Sequence, residues 1–293
     1  MADMKKIAIS TDSNSGFFPQ DAEKFGIFVL PMPFLINTTP YLENVNLTQE
    51  KFYELLAGNA SVATSQPSIG DLTDLWTEIL KEYDEVVHIP MSSGLSNSCA
   101  TASNVAKEFD GKVFVADNHR ISVTMKDSVL DAIKLRDEGK NAAEIKEYLE
   151  HTANHSSIYI AVDTMKYLKR GGRVTPTAAM IGGILKINPV LQIHGERLDK
   201  YALARGTQKA KEIIKSALKN DLSTYYAKYV EKGEMSISVA YTYNETAGKA
   251  FLEEIKAAFP NIPVHHCDPL SLSVACHIGP NALGAACTRI YKK

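Results

Sequence analysis

The sequence predicts an α/β fold of two α/β domains, with a mainly parallel sheet in the first domain. In the first half, short apolar runs alternate with amphipathic stretches at the spacing of parallel β-α units, with helices on both faces of the sheet. The chain has 293 residues, 45% of them hydrophobic, which allows one large or two medium domains. Because the character of the sequence changes near residue 160, we predict domains at 1–160 and 161–293.

Strands and helices alternate along the first half. Pro31 and Pro33 interrupt the second apolar run, and proline has no N–H for a strand ladder, so this strand is at an edge or broken. Ser68 is followed by Asp71, a capping-box arrangement that predicts a helix start. The predicted strands are 5–11, 27–36, 85–90, 112–117 and 157–162, and the predicted helices are 47–56, 68–80, 96–109, 120–138 and 142–151.

The second half of the sequence predicts a hairpin, a long helix and a β-α-β unit. The hairpin strands, 187–193 and 197–203, flank His194-Gly195. The last segment, 279–291, reads as a short loop and a C-terminal helix that packs back on the domain. The remaining predicted elements are a helix at 208–231, a strand at 235–241, a helix at 244–259 and a strand at 262–266.

Composition excludes several classes of protein. A net charge of −2 with 23% charged residues gives no reason to expect nucleic acid or an acidic membrane as main partner. No apolar stretch is long enough to span a bilayer, and the N-terminus lacks the apolar core of a secretory signal. None of the four cysteines forms a C-x-x-C pair. We therefore expect a cytoplasmic protein with reduced thiols and no cofactor.

Two neighbouring histidines could suggest a metal site. His265 and His266 lie on a predicted strand, where successive side chains point to opposite faces. We therefore interpret them as structural and predict no metal.

The most informative loop is Met91–Ser98, which follows a strand and opens a helix. Ligands of open α/β sheets tend to bind at that position, and a helix N-terminus favours a carboxylate or phosphate. Ser92, Ser93 and Ser96 add hydroxyl donors. The alternative is that Ser96 only caps its helix and the other two satisfy a tight turn.

Two further loops carry candidate binding groups. In Ala63–Ser68, Thr64 and Ser65 offer hydroxyls without a lysine or acidic partner, which suits a carboxyl group better than a polyphosphate. A plain polar loop is the alternative. His277 stands before a Gly-Pro turn and could donate to a carboxylate in a cleft, or be a core histidine bonded to backbone.

Two short motifs complete the set. Thr11 and Asp12 end the first strand, where Asp12 could be a hydrogen-bond organiser, a base or a turn residue. Arg170 and Arg173 bracket two glycines in a compact cationic loop that lacks the full phosphate-loop pattern. A solvated turn is its default interpretation.

Taken in order, these loops resemble the DegV family. Each match is weak alone, but five in order cover essentially the whole chain. Asn97 and Asn281 depart from glycines common in the family, which leaves chain-length preference and kinase pairing open. The matching segments are Thr11-Asp12-Ser13, Thr64-Ser65-Gln66-Pro67-Ser68, Ser92-Ser93-Gly94-Leu95-Ser96, Arg170-Gly171-Gly172-Arg173 and His277-Ile278-Gly279-Pro280.

The resemblance implies a fatty acid held between two domains by a non-enzymatic lipid-binding protein. Carried over, the carboxyl-binding residues are Thr64, Ser93 or Ser96, and His277. Thr11, Asp12, Ser65, Ser92, Arg170 and Arg173 would support the site or a docking surface. Members of the FakB type deliver the acid to a separate ATP-dependent kinase, FakA, which forms an acyl phosphate for phospholipid metabolism. Membrane contact would be transient.

Transfer of the alkyl tail from water into an apolar environment supplies the physical basis for such binding. Burying an alkyl chain gains roughly 0.8 kcal/mol per methylene, and the polar end sets orientation. The candidate tail lining is Met180–Leu185 with Phe28–Leu35. The rival interpretations are an acyl hydrolase using a serine with His277 and Asp12, a phosphotransferase acting alone, and a lipid-sensing regulatory module. The sequence lacks a G-x-S-x-G nucleophile elbow.

Overall fold

The computed structural model describes residues 5–58, 60–181, 187–194 and 197–293, in two compact units. The first unit comprises the chain up to Ile121 together with Met125–Ala153, and the second comprises Ser122–Thr124 with Asn154–Lys293. The strand at 156–161 therefore belongs to the second unit. The sequence-based boundary at residue 160 placed most of it in the first domain.

The helices and strands follow one another in a mixed α/β order. The strands are β1 (Ile7–Asp12), β2 (Ile27–Leu30), β3 (Pro33–Ile36), β4 (Thr39–Leu42), β5 (Val62–Thr64), β6 (Glu85–Ile89), β7 (Val113–Val115), β8 (Ser156–Ala161), β9 (Ile187–Ile193), β10 (Asp199–Arg205), β11 (Met235–Tyr241), β12 (Val264–Pro269) and β13 (Leu283–Arg289). The helices are α1 (Pro19–Phe25), α2 (Gln49–Ala57), α3 (Ile69–Ile79), α4 (Ser98–Val105), α5 (Ser122–Asp137), α6 (Ala142–His151), α7 (Lys166–Gly171), α8 (Pro176–Ala179), α9 (Thr207–Ser223), α10 (Ala227–Glu231), α11 (Glu245–Ala258) and α12 (Leu272–Ile278).

A four-stranded parallel sheet forms the centre of the first unit, in the order β2-β1-β6-β7. Every residue of β1 and β6 is buried. Strands covered on both faces read as near-continuous apolar runs, which is why the sequence indicates them clearly. The predicted parallel sheet is confirmed.

The two prolines of the second apolar run divide it between two sheets. β2 is an edge strand of the parallel sheet, whereas β3 begins at Pro33 and lies between β4 and β5 in a three-stranded antiparallel sheet. Pro31 falls in the connection between β2 and β3. The prediction of a broken or edge strand is confirmed, because proline cannot complete a ladder.

Helix α3 begins as its sequence predicts. Ser68 is the N-cap and accepts from the backbone N–H of Asp71 at 3.0 Å, while the Asp71 carboxylate accepts from the N–H of Ser68 at 3.0 Å. The apolar face of this helix packs into the core of the first unit through Leu72, Trp76 and Ile79. Capping and periodicity thus specify the same helix.

A six-stranded sheet forms the second unit, in the order β10-β9-β8-β13-β11-β12. β13 pairs antiparallel with both β8 and β11, and all its residues but the last are buried. The predicted C-terminal helix within 279–291 is wrong. This central position suits small residues. A Cβ on Gly284, for example, would lie 3.1 Å from the carbonyl oxygen of Tyr159.

The hairpin and the β-α-β unit are confirmed, but the long helix predicted over 208–231 is not continuous. β9 pairs antiparallel with β10, and β11 pairs parallel with β12 across α11. The helix breaks between α9 and α10, where the hydroxyl of Thr224 donates to the carbonyl of Asn220 at 2.7 Å. Such local side-chain bonds compete with helix continuation.

The predicted separation of His265 and His266 onto opposite faces of a strand is also wrong. The two rings contact each other edge to face, with centroids 5.7 Å apart and an interplanar angle of 68°. Ile237 and Val239 pair with Val264 and Cys267, so β12 has one extra residue at this point. Such a bulge interrupts the strict alternation of side chains that the sequence argument assumed.

The described helices include none with the length and apolar character needed to cross a bilayer.

Candidate functional site

The loops that carry chemistry in the first unit leave the carboxyl ends of β1 and β6. These strands run parallel, with Thr11 opposite Ile89, so their C-terminal loops meet at one edge of the sheet. That edge is the usual ligand-binding position in open α/β sheets. The motifs at Asp12 and at Ser92–Ser96 are therefore neighbours in space.

Asp12 ties the two loops together. Its carboxylate accepts hydrogen bonds from the backbone N–H groups of Met91 and Asn14, both at 2.9 Å, and its residue is only 1% exposed. Burial raises the pKa of Asp12 to about 6, although the hydrogen bonds from Met91 and Asn14 oppose the rise. Of the three roles considered for Asp12, this geometry favours the hydrogen-bond organiser.

Thr11 and Asn14 extend the same connection. The Thr11 hydroxyl donates to the carbonyl of Ile89 at 2.8 Å, which links the ends of β1 and β6. The Asn14 amide lies 3.1 Å from the sulfur of Met91. Sequence reasoning missed Asn14, although its place two residues after Asp12 is typical of a side chain–backbone turn.

The three serines of the loop have different hydrogen-bonding partners. Ser92 is buried, and its hydroxyl accepts from the N–H of Gly94 at 3.2 Å. The Ser96 hydroxyl accepts from the N–H of Ser98, the first residue of α4, at 3.1 Å. Ser93 is exposed, and its hydroxyl has no hydrogen-bond partner among the described residues. Ser93 is thus the serine of this loop best able to serve a ligand.

Asp117 and Arg120, which the sequence analysis did not single out, also accept hydrogen bonds from the serine loop. The N–H of Ser93 donates to the Asp117 carboxylate at 3.3 Å, and the N–H of Ser92 donates to the Arg120 carbonyl at 2.9 Å. Arg120 is itself 2% exposed and donates to the Thr152 carbonyl at 2.7 Å. The available sequence signal was that both residues lie in the segment between β7 and α5.

The Thr64 loop is connected to α4. Thr64 is half-buried at the end of β5, opposite Phe34 of β3. Two residues on, the Gln66 amide donates to the Thr101 hydroxyl of α4 at 2.9 Å. Ser65 is exposed, and its N–H donates to the Pro33 carbonyl at 3.3 Å. Gln66, which the sequence did not single out as a linking residue, therefore joins the Thr64 loop to α4.

The arginine–glycine motif of the second unit is partly helical rather than a simple loop. Arg170 and Gly171 end α7, and Gly172 caps it in the left-handed conformation with φ +67°. Arg170 is exposed, whereas the guanidinium of Arg173 donates to the Gly171 carbonyl at 2.5 Å. The glycine at the cap explains why a short helix can end here.

His277 lies in the last turn of α12, against α7. A Cβ built on Gly171 would fall 2.1 Å from its Nδ1 atom. Burial, and secondarily the charge of Arg173, lower the pKa of His277 to about 4. The imidazole is therefore neutral at pH 7 and has one N–H to donate.

The similarity to known proteins is not confined to these motifs and covers nearly the whole chain. A family model described as uncharacterised protein of the DegV family matches residues 6–289. This chain belongs to the DegV family. A DegV domain-containing protein of Deinococcus radiodurans is 30% identical over 286 residues, covering 96% of this chain and 97% of the relative.

Solved DegV structures have the same fold. A protein of Thermus thermophilus described by its fatty acid binding is 26% identical, with a TM-score of 0.85 over 97% of this chain and 100% of its own. A DegV described as a fatty acid-binding protein of Bacillus subtilis is 27% identical, with a TM-score of 0.83 over 97% and 99% of the two chains.

The predicted site residues of this DegV chain fall into two groups. The first unit brings Asp12 to the serine loop and connects the Thr64 loop to α4, whereas the second places Arg173 beside His277. Their roles toward a ligand stay predictions. The first group is Thr11, Asp12, Thr64, Ser65, Ser92, Ser93 and Ser96, and the second is Arg170, Arg173 and His277.

The predicted tail lining is described only in part. Within 180–185, residues 182–185 lie outside the described residues, while Met180 is 76% exposed and Ile181 is buried. Within 28–35, Phe34 is buried and packs edge-on against Phe52, with ring centroids 6.2 Å apart. Phe34 is therefore a core residue of the first unit, and the assignment of the lining stays a prediction.

Proposed function

We propose that this chain binds one long-chain fatty acid and presents its carboxyl group to a separate ATP-dependent fatty acid kinase. The observation that carries the first half is the likeness over 97% of the chain to the Thermus and Bacillus DegV proteins, which are described as binding fatty acids. Each unit of this chain carries suitable neutral donors, Thr64 and Ser93 in the first and His277 in the second. No part of the proposal requires a cofactor.

The proposed donors suit a carboxylate. Thr64 is half-buried and Ser93 is exposed, and each offers a hydroxyl donor, while His277 is a neutral donor because burial lowers its pKa to about 4. Neutral donors bind a singly charged carboxylate without the strong attraction for polyphosphates that a lysine cluster would give. These three residues are our proposed carboxyl-binding set.

Between the two serines left open by the sequence, the structure favours Ser93. Ser96 accepts from the N–H of Ser98 and so supports the start of α4. Using it for a ligand would weaken that support, whereas the Ser93 hydroxyl has no partner among the described residues. We therefore assign the ligand contact to Ser93 and a structural role to Ser96.

Affinity would come mainly from the alkyl tail. Each buried methylene contributes roughly 0.8 kcal/mol, less the cost of ordering the chain. A fatty acid acquired during expression should therefore survive purification. Native mass spectrometry and lipid extraction of protein purified without added lipid test this directly, and a chain that neither retains nor takes up fatty acid would overturn the proposal.

Site variants test the proposed donors. We expect Thr64→Ala and Ser93→Ala each to weaken fatty acid binding roughly 10- to 100-fold, because a hydrogen bond to a charged group contributes about 1.5–3 kcal/mol. Ser96→Ala should instead lower stability by about 1 kcal/mol. Competition with a fluorescent fatty acid measures the affinities. Ser61→Ala, at an exposed hydroxyl outside the proposed set, is the control, and equal affinity in all four variants would remove the assignment.

Presentation to a kinase needs a separate experiment. The purified chain alone should not consume ATP, whereas the chain loaded with fatty acid should yield acyl phosphate when an ATP-dependent fatty acid kinase is added. Turnover by the chain alone would favour the phosphotransferase alternative. Loss of acyl phosphate in Ser93→Ala, at saturating fatty acid, would show that orientation of the carboxyl matters beyond affinity.

A further inference from the structure

We propose that Arg120 is a positioning residue that fixes the serine loop (Met91–Ser98) in the conformation that presents Ser93 to the fatty acid carboxyl. The inference rests on the proposed function for the identity of the ligand. The contacts that carry it lie wholly within the first unit and involve no ligand.

The side chain of Arg120 is buried, which is rare for an arginine unless its donors have partners. The guanidinium donates from Nη1 to the hydroxyl of Ser128 in α5 at 2.9 Å, and from Nη2 to the carbonyl of Thr152 at 2.7 Å. Thr152 directly follows α6, and the last carbonyls of a helix lack partners within the helix and favour a positive charge. The guanidinium therefore fastens the segment between β7 and α5 to two helices.

Two side chain–backbone turns fix the backbone around Arg120. The Asn118 amide oxygen accepts from the N–H of Arg120 at 3.1 Å, and the Asp117 carboxylate accepts from the N–H of His119 at 3.3 Å. His119 has φ +51°, a left-handed conformation that costs a non-glycine residue free energy and persists only where the surroundings hold it. Because its N–H and its guanidinium are both engaged, Arg120 has a carbonyl group whose direction is fixed.

This carbonyl accepts a hydrogen bond from the residue on which the serine loop is built. The N–H of Ser92 donates to it at 2.9 Å. The carbonyl of Ser92 accepts from the N–H groups of Leu95 and Ser96, at 3.0 and 3.2 Å. The hydroxyl of Ser92 accepts from the N–H of Gly94 at 3.2 Å. A shift of Ser92 would therefore displace the rest of the loop, including Ser93.

The segment between β7 and α5 also holds Ser93 directly. The N–H of Ser93 donates to the Asp117 carboxylate at 3.3 Å, and the same carboxylate oxygen accepts from the N–H of His119. The successive N–H groups of Ser92 and Ser93 are thus both bound to the segment that Arg120 anchors. A binding group misplaced by a fraction of an ångström loses affinity, so the anchor should matter for the ligand.

Amide hydrogen exchange followed by NMR tests the anchor without any ligand. We expect Arg120→Met to accelerate exchange of the Ser92 N–H about tenfold relative to the N–H groups of β6, because the acceptor of Ser92 is no longer held in place. Unchanged relative exchange at Ser92 would overturn the proposal. A uniform acceleration across the first unit would also overturn it, since that result indicates a purely structural role.

Arg136 supplies the matched control. Its guanidinium also donates to a backbone carbonyl of the first unit, that of Gly26, at 3.1 Å. Gly26 directly precedes β2, so this bond lies at the end of the parallel sheet opposite to the serine loop. Arg136→Met should therefore lower stability without changing the relative exchange at Ser92 or the affinity for fatty acid.

An affinity cycle tests the positioning role. We expect Arg120→Met to weaken fatty acid binding roughly tenfold, but to add little loss in a Ser93→Ala background, where the positioned hydroxyl is gone. Arg120→Lys should lose less, because an ammonium group can still donate to one of the two acceptors. Equal fold losses in the two backgrounds would overturn action through Ser93, as would unchanged affinity in Arg120→Met.

Ser128→Ala keeps the test decisive if Arg120→Met does not fold. This change removes one acceptor of the guanidinium and leaves the arginine in place, so exchange at Ser92 should accelerate by a smaller factor. Unchanged exchange in both Ser128→Ala and Arg120→Lys would overturn the anchor. Failure of the unmodified chain to bind fatty acid would overturn the proposed function and the role toward the ligand, while amide exchange would still decide whether Arg120 fixes the loop.

Discussion

At the scale of single residues, Asp12 combines loop organisation with a carboxyl group removed from water. Its two hydrogen bonds, from Met91 and Asn14, fix the start of the serine loop. Desolvation nevertheless outweighs them and raises the pKa to about 6, from an ordinary value of 3.8. The native state is therefore less stable, relative to the unfolded chain, when Asp12 is ionised than when it is protonated.

This residue should make stability depend on pH in a defined direction. Protonated Asp12 contributes to the free energy of unfolding, and this contribution is fully present below pH 4. It is lost as the pH rises to about 6, which lowers the free energy of unfolding by about 3 kcal/mol. We expect the free energy of unfolding of Asp12→Asn to improve relative to the unmodified chain by that amount between pH 4 and pH 7. Urea unfolding at both pH values measures it, with Asp74→Asn at an exposed carboxyl as control. A pH-independent difference would contradict the raised pKa.

At the scale of elements, α3 is specified by local sequence. The Ser68–Asp71 capping box satisfies two N–H groups at its start, and its apolar stripe buries Trp76 completely. Caps need only a few neighbouring residues, so they are visible in the sequence. Strand β13 is the opposite case, since its position depends on β8 and β11, which are distant in the chain.

The cap of α3 makes a measurable contribution to stability. We expect Ser68→Ala to lower the free energy of unfolding by about 1 kcal/mol, because the first-turn N–H groups lose their acceptor. Trp76 is the single tryptophan of the chain, so its fluorescence reports unfolding of the unit that contains α3. Thr77→Ala, on the exposed side of the same helix, should not be destabilising. Equal effects of the two changes would indicate that the cap contributes little.

At the scale of the whole molecule, burial sets the reactivity of the thiols. All four cysteines are free; Cys99, Cys276 and Cys287 are buried, and Cys267 is partly exposed. Burial raises the pKa of Cys99 to about 12, and it also raises the pKa values of Cys267 and Cys287. Because the thiolate is the reactive form, all of them should react slowly in the folded chain.

Titration with a thiol reagent checks this pattern. At pH 8 the Cys99 thiolate fraction is about one in ten thousand, so we expect one slow phase from Cys267 and no further reaction until denaturant is added. Cys267→Ser should remove that phase, and all four thiols should react in the unfolded unmodified chain. Rapid labelling of Cys99 or Cys287 in the native protein would contradict the burial described here.

Most of the first unit could be predicted because its signals are local. Strands buried on both faces give continuous apolar runs, prolines mark the break between β2 and β3, and Ser68 marks a helix start. The same approach indicated the loops around Asp12 and Ser93, since they follow strands. It left Ser93 and Ser96 as equal candidates, because the hydrogen bond from Ser98 that engages the Ser96 hydroxyl exists only in the folded chain.

The α/β class, the order of most elements and the loops that carry hydroxyls, arginines and His277 can all be predicted from the amino-acid sequence. These follow from periodicity, capping and turn chemistry, which act over a few residues. Three features become visible only in the folded chain: the small-residue segment at 283–289 is a central strand, a bulge brings His265 beside His266, and Gly171 packs against His277. Each depends on packing between segments far apart in the chain, where close approach and burial override local preference.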